Sequence, residues 1–169
     1  DVMETGHLEH LYYGKKIHIH NLEALREKYA FPPGNGITYD DKNYPKLALE
    51  DVRLEMSGMG HGDIREPFVE LIFADGNTST DFLFEKAEIS QGKEDFETLP
   101  GSYDEEDKVE HLCITLIDRN YPVKMELHYY VYEAADVITR STRLINYGSD
   151  SVQIRRLMSA QVDFDEAGY

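Results

Sequence analysis

The alternation of apolar and polar side chains in the second half of the chain constrains its fold more than any other feature. Between residues 123 and 131, apolar side chains take every second position, and mostly polar side chains lie between them. Successive side chains of a β-strand point to opposite faces of the sheet, so this period of two predicts a half-buried strand. The apolar members are Val123, Met125, Leu127, Tyr129 and Val131.

The same pattern recurs in four other segments, at residues 69–73, 112–116, 137–145 and 152–160. Turn-forming residues separate them, and Asp75-Gly76, directly after the first segment, is a typical hairpin signal. Short strands separated by turns every 10 to 15 residues or so indicate an antiparallel sheet structure. The sequence therefore predicts an all-β fold, an antiparallel β-sandwich.

Helical structure is expected to be minor, with at most one or two short helices. The one candidate is Asn21–Tyr29, where Asn21 can cap the first turn and Pro32-Pro33 would prevent continuation. Residues 30–46, which contain three prolines and two glycines, predict an irregular surface connection.

Length and charge exclude several classes of protein. A chain of 169 residues is long enough for one domain with a core. Its 33 acidic and 17 basic side chains give a net charge of −16, which repels nucleic acid and anionic membrane surfaces. No apolar run approaches the ~20 residues that span a bilayer. Because Asp1 is not a start methionine, we expect the chain to be a piece of a longer protein.

Residues that commonly carry chemistry do not form a recognisable site. His18 and His20 would share one face of a strand, but the sequence identifies no third metal ligand. The acidic run Asp104–Asp107 lacks the spacing of a calcium loop. Cys113, the only cysteine, lies in an apolar run and is expected to be inert and compatible with a reducing compartment. We therefore predict no metal, no cofactor and no catalytic residue.

The glycine-rich stretch Gly58–Leu71 is the strongest local anomaly. Gly58, Gly60 and Gly62 allow unusual backbone dihedral angles just before Asp63 and Arg65, which would point to the same side at period two. Two interpretations remain open at this point. The pair closes a loop, or it presents a carboxylate and a guanidinium to the hydroxyl groups of a sugar.

Four separate motifs, in order along nearly the whole chain, carry a family resemblance. Together they resemble the N-terminal region of the bacterial α-galactosidases of glycoside hydrolase family 36. Ile64 stands where that family typically has phenylalanine, in a Gly-Asp-Phe-Arg motif. The motifs are GHLEHLYYG at 6–14, GHGDIREP at 60–67, LPGSY at 99–103 followed by the acidic run, and YEAADVITRS at 132–141.

The resemblance implies a fold, a parent enzyme and a set of partners. The fold is part of a β-supersandwich, similar to galactose-mutarotase-like sandwiches. The parent is a retaining α-galactosidase acting on melibiose and raffinose-type sugars, usually cytoplasmic and homo-oligomeric, with both catalytic aspartates in a (β/α)8 barrel. That barrel needs about 250 residues and is absent from this chain. Residues 1–169 are then the first part of the non-catalytic sandwich domain, inactive alone, whose partners are the protein's own barrel and neighbouring subunits.

Within the family, the aspartate of the Gly-Asp-Phe-Arg motif resembles a residue that reaches the sugar site. Carried over to this chain, the substrate-binding residue is Asp63, with Arg65 as its orienting partner. Two alternatives stand beside this hypothesis. The chain is a stand-alone carbohydrate-binding sandwich, or it is a purely structural oligomerisation module in which Asp63 and Arg65 only staple a loop.

Overall fold

The computed structural model describes residues 1–26, 39–40, 42–96, 101–103 and 108–162. Within these residues, six β-strands form the regular structure, and every pairing between them is antiparallel. Helical structure in the same residues is limited to single 3-10 turns at Leu22–Ala24, Leu49–Asp51 and Glu133–Ala135. The predicted all-β, antiparallel class is confirmed. The strands are β1 (Val69–Ile72), β2 (Phe82–Gln91), β3 (Glu110–Asp118), β4 (Val123–Tyr132), β5 (Val137–Asn146) and β6 (Gln153–Leu157).

The strands belong to two sheets in two separate compact units. Strands β2 to β5 form a four-stranded meander in the order β2-β3-β4-β5, within the unit Phe82–Ser149. Strands β1 and β6 pair in the other unit, which consists of Asp1–Asp81 and Asp150–Tyr169. The β1–β6 pairing joins segments far apart in sequence, whereas the meander pairs strands that follow one another.

The meander has one apolar and one polar face along β4. Val123, Met125 and Leu127 are at most 1% exposed, and the predicted alternation holds up to this point. Beyond it the pattern reverses, because Tyr129 and Val131 are half-buried whereas His128 and Tyr130 are buried. On the opposite face, His111 Nε2 lies 2.9 Å from His128 Nδ1, and the His111 ring stacks on Tyr130 with 4.3 Å between centroids. Burial, followed by the nearby charge of His111, lowers the pKa of His128 below its ordinary value.

The first unit has its own buried residues, which surround β1. Val69 and Leu71 are inaccessible to solvent and Phe73 is 4% exposed, as the alternation at 69–73 predicts. Phe68, which precedes this alternation, is inaccessible as well. A second cluster lies along the 3-10 turn at 49–51 and the residues that follow it. Its buried members are Leu49, Val52 and Leu54.

Three local expectations differ from the structure. Asp75-Gly76 does form a turn, with Gly76 N donating to Phe73 O at 2.9 Å, but β1 pairs with β6 and not with the next strand. Strand β2 was not predicted, because its first residues, Phe82-Leu83-Phe84-Glu85-Lys86, do not alternate between apolar and polar side chains. Asn21 does cap a helical turn, accepting from Glu23 N at 2.9 Å, yet only the 3-10 turn at 22–24 forms among the described residues.

Some predicted features lie outside the described residues. They are the end of the helix candidate, most of the connection at 30–46, Leu99-Pro100 of the LPGSY motif and the acidic run Asp104–Asp107. In the part of the chain that is described, no helix has both the length and the apolar character needed to cross a bilayer.

Candidate functional site

The segment between Ser57 and Phe68, called the glycine-rich loop below, is closed by hydrogen bonds between these two residues. Ser57, which is fully buried, accepts a hydrogen bond from Phe68 N at its Oγ (2.9 Å) and another at its carbonyl oxygen (3.1 Å). Its hydroxyl also lies 2.8 Å from Gln161 Oε1. Loops whose ends meet in this way are often functional, because the scaffold holds both ends while the tip is presented outward.

Gly60 is required by both backbone conformation and packing. Its φ of 94° lies in the left-handed region that favours glycine. A Cβ added at Gly60 would lie 2.5 Å from Ser79 Cβ and 3.0 Å from Ser79 Cα, which is closer than carbon atoms can approach. Thr80 N donates to Met59 O at 3.0 Å, so the loop is fastened to residues 79–80.

Asp63 and Arg65 form a bidentate ion pair just beyond this contact. Arg65 Nε donates to Asp63 Oδ1 at 2.8 Å, and Arg65 Nη2 donates to Asp63 Oδ2 at 2.9 Å. The Arg65 backbone N–H also donates to Asp63 Oδ1, and Arg65 Nη2 reaches Leu49 O at 3.2 Å. The two side chains thus lie on the same side, as predicted; their role in sugar binding stays a prediction.

Exposure differs sharply among the three residues of this turn. The Asp63 side chain is 2% exposed and that of Arg65 is 28% exposed, whereas Ile64 between them is 81% exposed. Ile64 is apolar, and it is displayed at the position where the resembling family typically has phenylalanine. The turn therefore offers solvent an aliphatic side chain and the edge of a guanidinium, with the carboxylate behind them.

A buried polar network lies next to the loop, and it was not predicted from the sequence. Asp81 accepts from His7 Nε2 at 3.2 Å and from the Tyr39 hydroxyl at 2.9 Å. His7 Nδ1 lies 2.9 Å from Thr5 Oγ1, and His61 of the loop packs on the Tyr39 ring at 5.8 Å between centroids. The only sequence signal was that His7 and His61 each occur in one of the four motifs.

The other candidates gain no support from the structure. His18 and His20 are exposed in a segment that is not a strand, and no three His, Cys, Asp or Glu side chains among the described residues are grouped to hold a metal. Cys113 is half-buried on β3, and burial followed by nearby carboxylates raises the pKa of its thiol. A raised pKa disfavours the reactive thiolate, and the inert role of this thiol stays a prediction.

The comparison with family models decides the family. The glycosyl hydrolase family 36 N-terminal domain matches residues 6–169 of the chain. The chain belongs to this family. Family 36 relatives include alpha-galactosidase AgaA of Geobacillus stearothermophilus, which is 32% identical over 99% of this chain and 23% of its own length. The bifunctional alpha-galactosidase/sucrose kinase AgaSK of Mediterraneibacter gnavus is 35% identical over 94% of this chain and 17% of its own length.

Solved family 36 structures share the fold. The galactosidase domain of AgaSK matches with a TM-score of 0.85 at 33% identity, covering 94% of this chain and 22% of that one. A variant of AgaA in complex with raffinose matches with a TM-score of 0.84 at 27% identity, over the same shares of the two chains. The family resemblance and the sandwich fold class are thus confirmed. The chain spans only about a fifth of the length of the relatives it matches.

Proposed function

We propose that the chain is the N-terminal β-sandwich segment of a retaining α-galactosidase that releases terminal α-galactosyl residues from melibiose and raffinose-type sugars. The supporting observation is family membership over residues 6–169, with relatives that are alpha-galactosidases and solved AgaA complexes that contain raffinose or stachyose. Both catalytic aspartates belong to a barrel outside this chain, so the segment alone is inactive. The enzyme is cytoplasmic and homo-oligomeric, and the segment contacts its own barrel and neighbouring subunits.

The activity is tested on the protein expressed from the complete reading frame. We expect that protein, and not the 169-residue chain, to release galactose from melibiose and raffinose. A reading frame that ends near Tyr169, together with galactoside binding by the chain itself, would instead establish a stand-alone carbohydrate-binding module.

Within the enzyme, we assign substrate binding to Asp63, with Arg65 as its partner. The support is a bidentate pair on a loop that closes at both ends, within one of the four motifs that carry the family resemblance. Charge-assisted hydrogen bonds contribute about 1.5–3 kcal/mol each, which corresponds to roughly 10- to 150-fold in affinity.

Asp63→Ala in the complete protein is therefore expected to raise KM for raffinose by about tenfold or more. The matched control is Glu70→Ala, because Glu70 also pairs with an arginine of the same unit, Arg155, at 3.2 Å. Equal, small effects of both variants on KM would contradict the binding role.

The burial of Asp63 favours a second candidate, a purely structural role. The Asp63 side chain is 2% exposed, and Arg65 donates to both of its carboxylate oxygens, as a loop staple requires. In that case Asp63→Ala lowers the melting temperature or changes the subunit assembly seen by light scattering. The kinetic constants per folded active site then stay unchanged.

A further inference from the structure

The carboxylate of Asp81 joins three separate segments of the first unit. It binds His7 near the N-terminus and Tyr39 in the middle of the unit, while its own backbone continues the segment that begins at Ser79. Asp81 is 2% exposed and His7 is 7% exposed, so water does not replace these bonds. A buried carboxylate is stable only when such partners satisfy it, so the three segments are held together.

The segment that ends in Asp81 is also the surface on which the glycine loop rests. Gly60 packs against Ser79, and Met59 O accepts from Thr80 N at 3.0 Å. A Cβ at Gly58 would lie 2.7 Å from Thr80 Oγ1, so this contact is close as well. Any shift of residues 79–81 is therefore transmitted to the backbone of the loop, because closely packed groups cannot absorb it.

Charge gives a second connection between Asp81 and the loop. Burial raises the pKa of Asp81, but hydrogen bonds from His7 and Tyr39 and the nearby charges of His61 and His7 outweigh it and lower the pKa below the ordinary value. His61 stands in the loop, two residues before Asp63. Asp81 is therefore also connected to the loop through Tyr39, which donates to its carboxylate and whose ring contacts that of His61.

We propose that Asp81, held by His7 and Tyr39, is a positioning residue. It fixes residues 58–62 of the glycine-rich loop and thereby places the Asp63–Arg65 pair for substrate. This inference rests on the proposed binding role of Asp63. Asp81 acts on the sugar only through the loop, and misplacement of a binding group by about 1 Å is enough to reduce activity by up to about 100-fold.

The test is a double-mutant cycle in the protein expressed from the complete reading frame, with KM and kcat for raffinose measured separately. Asp81→Asn keeps the shape of the side chain and removes its charge, and we expect KM to rise by about tenfold with a smaller change in kcat. Once Asp63→Ala is present, Asp81→Asn should raise KM no further, because both act through one pair. Tyr39→Phe, which removes one hydrogen bond and keeps the ring, should raise KM by less and remains informative if Asp81→Asn does not fold.

The matched control is Asp118→Asn in the other unit. Asp118 is also buried, at 4% exposed, and its Oδ1 accepts from the backbone N–H groups of Asn120 and Tyr121. Asp118→Asn should lower stability without raising KM. If Asp63→Ala raises KM while Asp81→Asn and Tyr39→Phe leave it unchanged, the positioning role is wrong and the binding role survives. If Asp63→Ala itself leaves KM unchanged, both are wrong.

Discussion

Replacing Gly60 by alanine tests whether the glycine loop is held by contact or only by backbone conformation. Two costs act at this position. An L-residue in the left-handed region costs about 1–2 kcal/mol. The new Cβ would also lie 2.5 Å from Ser79 Cβ, and such overpacking typically costs about 1–3 kcal/mol. The sum, about 2–5 kcal/mol, is a large part of the 5–15 kcal/mol or so that stabilises a typical domain.

Two other glycines separate these costs. Gly76 has a φ of 84° and nothing within 4 Å of an added Cβ, so Gly76→Ala carries the conformational cost alone. Gly101 has neither a positive φ nor a close neighbour, and Gly101→Ala should be neutral or stabilising by up to about 1 kcal/mol. We expect the order of destabilisation to be Gly60→Ala, then Gly76→Ala, then Gly101→Ala.

The assay is urea unfolding of the chain followed by circular dichroism, with the free energy of unfolding obtained by linear extrapolation. Ser79→Gly in the Gly60→Ala background removes the closest contacts and should recover part of the loss, about 1–2 kcal/mol. The contact between Gly60 and Ser79 does not hold the loop if Gly60→Ala is no more destabilising than Gly76→Ala, or if Ser79→Gly recovers nothing.

Two further predictions concern the meander. The lowered pKa of His128 means that the unfolded chain binds this proton more readily than the folded chain does, so the free energy of unfolding should decrease as the pH falls below about 6.5. His128→Gln should flatten this decrease in thermal melts recorded against pH, while the same substitution at the exposed His18 serves as control; an unchanged profile for His128→Gln would contradict the assignment. Met125→Ala, at a fully buried position, should lower the free energy of unfolding by about 2–5 kcal/mol, whereas Ile89→Ala, at a position 80% exposed, should change it by less than about 0.5 kcal/mol. If Met125→Ala and Ile89→Ala lowered the free energy of unfolding equally in urea titrations, the apolar face of β4 would not form a core.

The sequence predicted the strands in which apolar and polar residues alternate. The alternation along β4 is visible because Val123, Met125 and Leu127 are buried while Lys124 and Glu126 on the other face are only half-buried. Strand β2 lacks that alternation, because three apolar residues, Phe82-Leu83-Phe84, are followed by the charged pair Glu85-Lys86. Its place in the sheet depends on pairing with β3, which no local pattern encodes.

Pairing between distant segments limits prediction in the same way. The turn at Asp75-Gly76 forms as its residues dictate, but β1 takes β6 as its partner, more than 80 residues along the chain. The Asp63–Arg65 pair was predictable because the two residues are only two positions apart in sequence. The bonds of Asp81 to His7 and Tyr39 span 74 and 42 residues, so they could not be anticipated from spacing.

The hydrogen bonds already made by Asp63 restrict how it can serve a sugar. An ionised carboxylate accepts about four hydrogen bonds, and Asp63 already accepts three, all from Arg65. At most about one sugar hydroxyl could therefore bind Asp63 without breaking the ion pair. Arg65, at 28% exposed against 2% for Asp63, is the more accessible partner.

If a sugar binds at this turn, the two residues must therefore act as one unit. In that unit Asp63 keeps its one remaining acceptor position for a sugar hydroxyl, while Arg65, the more exposed partner, holds the carboxylate in place. Alanine at either position should then raise KM to a similar extent. Arg65→Lys should leave KM raised as well, because an ammonium group cannot form a bidentate pair with the Asp63 carboxylate.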